Sequence, residues 1–397
     1  VKDVEYSIWL QQALGYGAPI PDGILAALRE PDGAQKLYSQ DGGALVKIEG
    51  LTRVQLRRLW DKSLDEARKA AGICLERGWK VVTFGDEDYP KSLENIFAPP
   101  CVLYICGDWE SVRMTPAVAM VGTRKITAYG MEAATKLAIG IASHGATVVS
   151  GLALGVDGAA HRGALKGGGK TIAVIGCGPD VDYPAAHREL RRLIEQNGAV
   201  VSEYPPGVRP SQYTFPVRNR IIAGLSLGTL VIEAGARSGS LITANLAAEM
   251  GRDVFAVPGS IFSPMSEGTN KLLRDGAKPV ACAADVLDEY SPRFPELARP
   301  AKAAYTVPDA APGRITPAAA VSAADKPGTE RSAPARLPQN LTDVQRKVLG
   351  MLGSQPEHVD NIALKANLEP RSVLGALTIL EIEGLARSFP GRRFAAM

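Results

Sequence analysis

AVAMVGTRK at 117–125, ATVVSGLALG at 146–155 and TIAVIGCG at 171–178 set the architecture of this chain. Each is a short apolar run, rich in β-branched residues, that closes on glycine. Each is followed by an Ala-rich stretch of helical character: YGMEAATKLAIGIASHG (129–145), GVDGAAHRGALKGG (155–168) and PAAHRELRRLIEQNG (184–198). The alternation continues through AVVSEYP (199–205), PVRNRIIAGLS (216–226), GTLVIEAG (228–235), SLITANLAAEMG (240–251) and DVFAVPGS (253–260). Near-continuous apolar strands separated by helices imply a parallel sheet covered on both faces, because every crossover lays a helix on the sheet. The expected class is α/β, with a Rossmann-like doubly wound parallel sheet as its core. Ligands of such sheets bind at the carboxyl ends of the strands, where the glycines and polar residues of this chain collect.

The 397 residues exceed one ordinary domain and suggest two to four. Residues 1–75 read as several short helices punctuated by PDG turns at Pro21 and Pro31. GALVKIEGLTRVQLRRL (43–59) has the shape of helix, glycine turn at Gly50, helix, which suits either a DNA-contacting hairpin or plain helix packing. Residues 76–114 read as a strand-rich extension of the sheet, giving a sheet domain of 76–290. In 291–338, Ala and Pro fill 22 of 48 positions, which predicts an extended linker. Residues 339–397 read as three helices, the last opening at Pro370 and ending at Gly384, followed by a two-stranded wing turning at Pro390 and Gly391. That is the winged-helix plan, open to a DNA or a protein partner.

Absences narrow the class. No charged and then apolar leader opens the sequence, and no apolar run is long enough for a membrane span. The five cysteines are scattered without a CxxC pair, and the four histidines stand away from them. A reduced cytoplasmic protein with no metal, no cofactor and no membrane partner is expected. GGGKT at 167–171 precedes a strand instead of following one, so it is not a phosphate loop; VIGCGPDV lacks the third glycine of a dinucleotide fingerprint. Asp157 and His161, one helical turn apart, suit an acid/base pair, but with no nucleophile turn beside them they read better as pins holding the helix start to the sheet.

Charge is informative once resolved along the chain. The sum is 45 basic against 42 acidic residues, or +3. Yet 111–131 carries Arg113, Arg124 and Lys125 with no acid, and 204–232 carries Arg209, Arg218 and Arg220, again with none. Two such stretches in strand-end loops concentrate positive potential on one rim. Tyr204, Tyr213 and Phe215 stand among the second set of arginines. Aromatics interleaved with arginine before a helix suit single-stranded nucleic acid, with ring faces for bases and charge for phosphates. The alternative is an amphipathic helix whose arginines are merely solvated. Glycine at 41 of 397, about 10% against a usual ~7%, fits backbone that something approaches closely.

VGTRKITAYG, SGLALGVDGAAH, FPVRNRIIAGLS, EAGARSGSLITA, DVFAVPGS and EGTNKLLRDGA, in that order, resemble the DprA (Smf) family of DNA-processing proteins. The resemblance is strong over about 115–290 and extends to YPKSL…PPCVLYICGD, an N-terminal sterile-alpha-motif-like helical domain and a C-terminal winged-helix domain. It implies a non-enzymatic single-stranded DNA binder that forms a homodimer and loads the RecA recombinase onto incoming DNA in natural transformation. It places the pocket at Gly122, Thr123 and Arg124, at Ser150 and Gly151, and at Phe215, Arg218, Asn219 and Arg220. Arg124 and Arg218 would grip phosphates, and Phe215 would stack or prop the loop. Two departures stand out: His187 follows YPAA where the family often has Asn, and SQYT (211–214) lacks the lysine common in relatives, which moves weight to Arg209. A different reading takes GTLVIEAG as a relative of the PGGxGTxxE element of nucleotide hydrolases that release bases from nucleoside monophosphates, with Glu233 as acid. Leu225, Ser226 and Leu227 stand where that element needs its glycines, so Glu233 is expected instead to pair with an arginine such as Arg220.

Overall fold

The computed structural model describes residues 4–298 and 341–396, apart from 354, 356, 383, 384 and 390–392. Of the expected linker 291–338, residues 291–298 are described and correct its start: a turn of 3-10 helix at Pro295–Ala298 packs there, with Leu297 buried in the core. Residues 299–338, the helix stop at Gly384 and the wing turn at Pro390–Gly391 lie outside the described residues. The described chain falls into two compact units, 4–298 and 341–396.

The first unit opens with six helices: α1 (Val4–Leu14), α2 (Asp22–Leu28), α3 (Gly33–Ser39), α4 (Gly42–Val46), α5 (Arg53–Trp60) and α6 (Asp65–Glu76). Gly50 has a φ of 87°, so the expected glycine turn between α4 and α5 is present, and Thr52 with Gln55 closes a capping box on α5. There follow β1 (Lys80–Thr83), β2 (Val102–Gly107), β3 (Ala117–Val121), α7 (Ala128–Ser143), β4 (Thr147–Ser150), α8 (Val156–Lys166), β5 (Thr171–Ile175), α9 (Arg188–Asn197) and β6 (Gly198–Ser202). The unit continues with α10 (Thr214–Leu225), β7 (Gly228–Val231), α11 (Ser240–Glu249), β8 (Asp253–Ala256), α12 (Glu267–Arg274), β9 (Lys278–Pro279) and α13 (Ala284–Leu287).

The strands form one sheet in the order β1-β2-β6-β5-β4-β3-β7-β8-β9. From β6 to β9 all neighbours are parallel, whereas β1 and β2 extend the edge antiparallel. The expected strand runs all become strands, and GGGKT runs from the end of α8 into β5. The chain steps outward from β3 to β6, then α10 carries it back so that β7 pairs with the far side of β3. That reversal is the switch point where such sheets bind ligands.

Period-2 alternation sorts the core. Val118 and Met120 of β3 pack with α7 and α8, while Ala117, Ala119 and Val121 face the other way, toward Ile221 and Ile222 of α10 and the N-terminal helices. A buried polar network joins the second layer. Arg220 of α10 makes a bidentate ion pair with Glu203, just beyond β6, at 2.7 and 2.8 Å, and its Nε donates to the Ala98 carbonyl at 2.9 Å. Both side chains are at least 95% buried. Gln11 of α1 donates to Glu203 Oε1 at 3.0 Å and accepts the amide of Val102 in β2. The expected pairing of Arg220 with Glu233 is therefore corrected: Glu203 takes the arginine, and Glu233 accepts from the amide and hydroxyl of Thr127 at 3.0 and 2.6 Å, anchoring the start of α7.

Asp157 and His161 act as separate pins. Asp157 accepts the amides of Gly151 and Ala153 in the loop after β4, and His161 Nδ1 bonds the Thr171 hydroxyl of β5 at 2.7 Å. His187 is also buried, with Nδ1 at 3.0 Å from the Leu152 carbonyl. Among the described residues, no helix is long and apolar enough to cross a membrane.

The second unit has α14 (Asp343–Met351), β10 (Glu357–His358), α15 (Val359–Ala366), α16 (Pro370–Ile382), β11 (Ala386–Phe389) and β12 (Arg393–Ala396). Thr342 and Gln345 form a capping box on α14, and the three strands pair antiparallel in the order β10-β12-β11. Val348, Ile362, Val373, Leu377 and Phe394 close its core. This is the winged-helix arrangement that the sequence implies.

Two outcomes follow. Arg220→Ala strands the buried Glu203 carboxylate and lowers unfolding free energy by about 3–5 kcal/mol, read as a drop in urea midpoint. Burial pushes His161 down to about 3, so the unfolded imidazole, near 6.5, takes up a proton that the folded one refuses. Its contribution is complete above about pH 6.5 and is lost as pH falls toward 3; between pH 7 and 5 it removes about 2 kcal/mol of stability. His161→Gln flattens that part of the stability-pH curve, measured by denaturant titration at each pH.

Candidate nucleic-acid interface

At the switch point a cavity of about 440 Å³ opens among the end of β3, the first turns of α10 and the first turns of α11. Gly122 and Arg124 come from the β3 end, Phe215, Arg218 and Asn219 from α10, and Ser238, Gly239, Ser240, Ile242 and Thr243 from the far wall.

Arg218 lies at its floor and is only 4% exposed. One Nη donates to the carbonyl of Val174 in β5, while Nε is buried and, among the described residues, without a hydrogen-bond partner. The side chain lies directly against Gly151, where a Cβ would come within 2.1 Å of Nη1. Burial holds Arg218 below the usual guanidinium range; Asp157 opposes that shift and Arg124 adds to it. Asp157 is raised by the same burial. Among the described residues Arg218 makes no ion pair, so Asp157 tempers the charge without neutralising it at contact. A buried guanidinium left in this state is costly, and an oxyanion entering the cavity would supply the missing charge and acceptors.

The rim combines charge with aromatic surface. The exposed Arg124 guanidinium stands 5.0 Å from the centroid of the Phe215 ring. Phe215 is half-buried, its edge against Gly176, where a Cβ would meet Cδ1 at 3.0 Å. Tyr183, from the loop after β5, stacks on Phe215 at 5.6 Å between centroids and 30° between planes.

Of the ten residues expected at the site, the cavity gathers Gly122, Arg124, Phe215, Arg218 and Asn219. Gly151 lies beneath it as the surface that admits Arg218. The others do different things. Ser150 is buried and donates to the Met120 carbonyl at 2.6 Å, tying β4 to β3. The Thr123 hydroxyl accepts the Lys125 amide at 3.1 Å, shaping the loop. Arg209 is exposed on the loop before α10, outside the cavity lining. Arg220 is consumed by Glu203. Two readings of the rim also change: Tyr204 is buried against Tyr16, and Arg113, preceding β3 at the opposite end of the strand, is paired with Glu110. Sequence reasoning missed Tyr183 and the wall at 238–243. For the wall a signal existed, since ARSGS (236–240) sits between strand and helix as a run of small polar residues.

Comparison with known proteins places the chain in a family. A family model described as DNA recombination-mediator protein A matches residues 80–291, and one described as the DprA winged helix domain matches 332–392. The chain is 37% identical over 344 residues to the putative DNA processing protein DprA of Mycobacterium tuberculosis, covering 83% of this chain and 80% of that one. It is 47% identical over 205 residues to the DNA processing protein DprA of Streptococcus pneumoniae, covering 52% and 72%. The X-ray structure of the Streptococcus pneumoniae protein superposes with a TM-score of 0.63 at 38% identity, covering 73% of this chain and 99% of that one. DNA processing protein A from Helicobacter pylori, solved for its single-stranded DNA binding mode, gives 0.50 at 32% identity, covering 54% and 96%.

An anion at Arg218 should stabilise the fold. Pyrophosphate at ten times its dissociation constant adds about 1.4 kcal/mol, seen as a rise in thermal midpoint. Arg218→Met abolishes the rise, and an equal rise in that variant would move the anion elsewhere.

Proposed function

Because this chain belongs to the DprA (Smf) family of DNA-processing proteins, we propose that it binds single-stranded DNA at the β3–α10–α11 cavity. The observation that carries this reading is Arg218: a buried guanidinium on a cavity floor that, among the described residues, has an unpartnered Nε and no ion pair, although Asp157 lies near enough to temper its charge. A phosphate of the strand fills that position, Arg124 holds a neighbouring phosphate at the rim, and Gly122 lets backbone approach backbone. The aromatic rim takes a base. A base face is available for stacking in a single strand but not in a duplex, where both faces are already stacked on neighbouring pairs.

The family context extends the proposal to RecA loading, a homodimer, a cytoplasmic setting and a role in natural transformation. We also keep the divisions near 75 and 339 as proposed domain boundaries, and move the one at 290 past Leu297, which is buried in the core of the first unit. We propose no catalytic step. Glu233, the acid of the hydrolase reading, has both oxygens engaged by Thr127, which suits an anchor of α7. Base release from a panel of nucleoside monophosphates that disappears in Glu233→Gln would restore the hydrolase.

Fluorescence anisotropy with labelled oligothymidine tests the main reading. Affinity falls with salt at roughly −0.7 per phosphate contacted in log-log slope. Arg218→Ala and Arg124→Ala each weaken binding at fixed salt and lower that slope by about one contact; unchanged binding in both would remove the site. Recombinase loading is read as faster RecA filament growth on protein-coated single strands, an effect that the same variants lose.

A further inference from the structure

We propose that Tyr183, not Phe215, supplies the face on which a base of the bound strand stacks, with Phe215 as its support. The inference rests on the single-strand reading above and adds a residue to it.

The Phe215 ring is already engaged. The Arg124 guanidinium carbon lies 5.0 Å from its centroid, the Tyr183 ring is stacked on it at 5.6 Å, and its edge meets Gly176. A base reaching Phe215 would have to displace one of these partners, giving up a contact to gain a similar one. Tyr183 is 40% exposed, so it can accept a base without that exchange. Arg124 and Tyr183 both contact Phe215, so a cation stands beside two aromatic rings, the pairing of charge and ring faces that a single strand uses.

The loop that presents Tyr183 is held from beneath. Arg191, buried in α9, donates to the carbonyls of Pro179 and Val181. Asp180 accepts the Gly207 amide at 2.8 Å, and Asp182 pairs with Arg188 at 2.7 Å. The loops after β5 and β6 are thus tied to each other and to α9, and the ring loses little freedom when a base arrives. Such preorganisation is what makes an aromatic platform effective.

Two probes separate stacking from charge: oligothymidine, and an abasic oligonucleotide of the same length. Tyr183→Ala weakens oligothymidine binding by roughly 5- to 100-fold, leaves the abasic strand within about twofold and keeps the salt slope. Tyr183→Trp restores oligothymidine binding. Phe215→Leu, which keeps a bulky support, costs less than Tyr183→Leu. The proposal is overturned if Tyr183→Ala binds both strands like the parent, if it weakens both equally, or if Phe215→Leu costs more than Tyr183→Leu. Failure of the single-strand reading itself looks different: the parent protein would then bind neither strand.

Discussion

The ion pair between Arg220 and Glu203, with Gln11 leaning on it, is the constraint from which the site follows. It gathers α10, the end of β6, the loop at Ala98, α1 and β2 at one buried point. None of these contacts touches the cavity, yet α10 carries Arg218, Asn219 and Phe215, and its rotation about its own axis decides where they point. A bidentate guanidinium-carboxylate pair fixes orientation as well as distance, since the two planes must match. The N-terminal helices, which read in the sequence as a separate block, contribute to that fixing through Gln11 and through the Gly17 amide on Glu203.

Helical geometry then produces the contrast that matters. Positions two apart on a helix point to different sides. Arg220 turns into the layer between α10 and the N-terminal helices and finds Glu203. Arg218 turns toward the sheet and finds a carbonyl of β5, the bare backbone of Gly151 and, among the described residues, no ion pair, with Asp157 nearby to temper its charge. Two arginines on one helix are buried to the same degree with opposite electrostatic outcomes. The paired one holds the fold, and the other leaves an attraction for whatever anion enters.

The strands were legible because parallel strands buried on both faces read as continuous apolar runs, and the closing glycines mark the turns at their ends. The site was legible only in part, for a reason that lies in the charge pattern itself. The acid-free stretch 204–232 is bounded by Glu203 and Glu233, each one residue outside it and each buried. Counting within the stretch gave its arginines no partner inside it, and the acid expected for Arg220, Glu233 at one edge, is the wrong one: the arginine reaches across the other edge to Glu203. Local composition measures potential along the chain, whereas pairing depends on which residues the fold brings together. Tyr183 was hidden similarly: it stands about thirty residues before Phe215, and only the adjacency of the β5 and β6 loops makes them a stack.

The glycines show the same division between a pattern that is visible and a reason that is not. Their clustering at strand ends pointed to backbone approached by a ligand, yet at Gly122, which lines the cavity, a Cβ would meet Val156 and the Glu233 carbonyl, so internal packing already demands the glycine. Gly151 and Gly176 serve the site differently, since the atoms that press on them belong to Arg218 and Phe215. The absent Cβ atoms let a guanidinium and an aromatic ring settle against the sheet, and the cavity exists because those two side chains can lie that low. Packing them closely restricts what an incoming strand must reorganise, at the cost of burying a cation whose nearby carboxylate, Asp157, tempers its charge without pairing with it. The fold can sustain that cost because its neighbour at 220 is so firmly paired, which joins the stability of α10 and the binding capacity of the site in one helix.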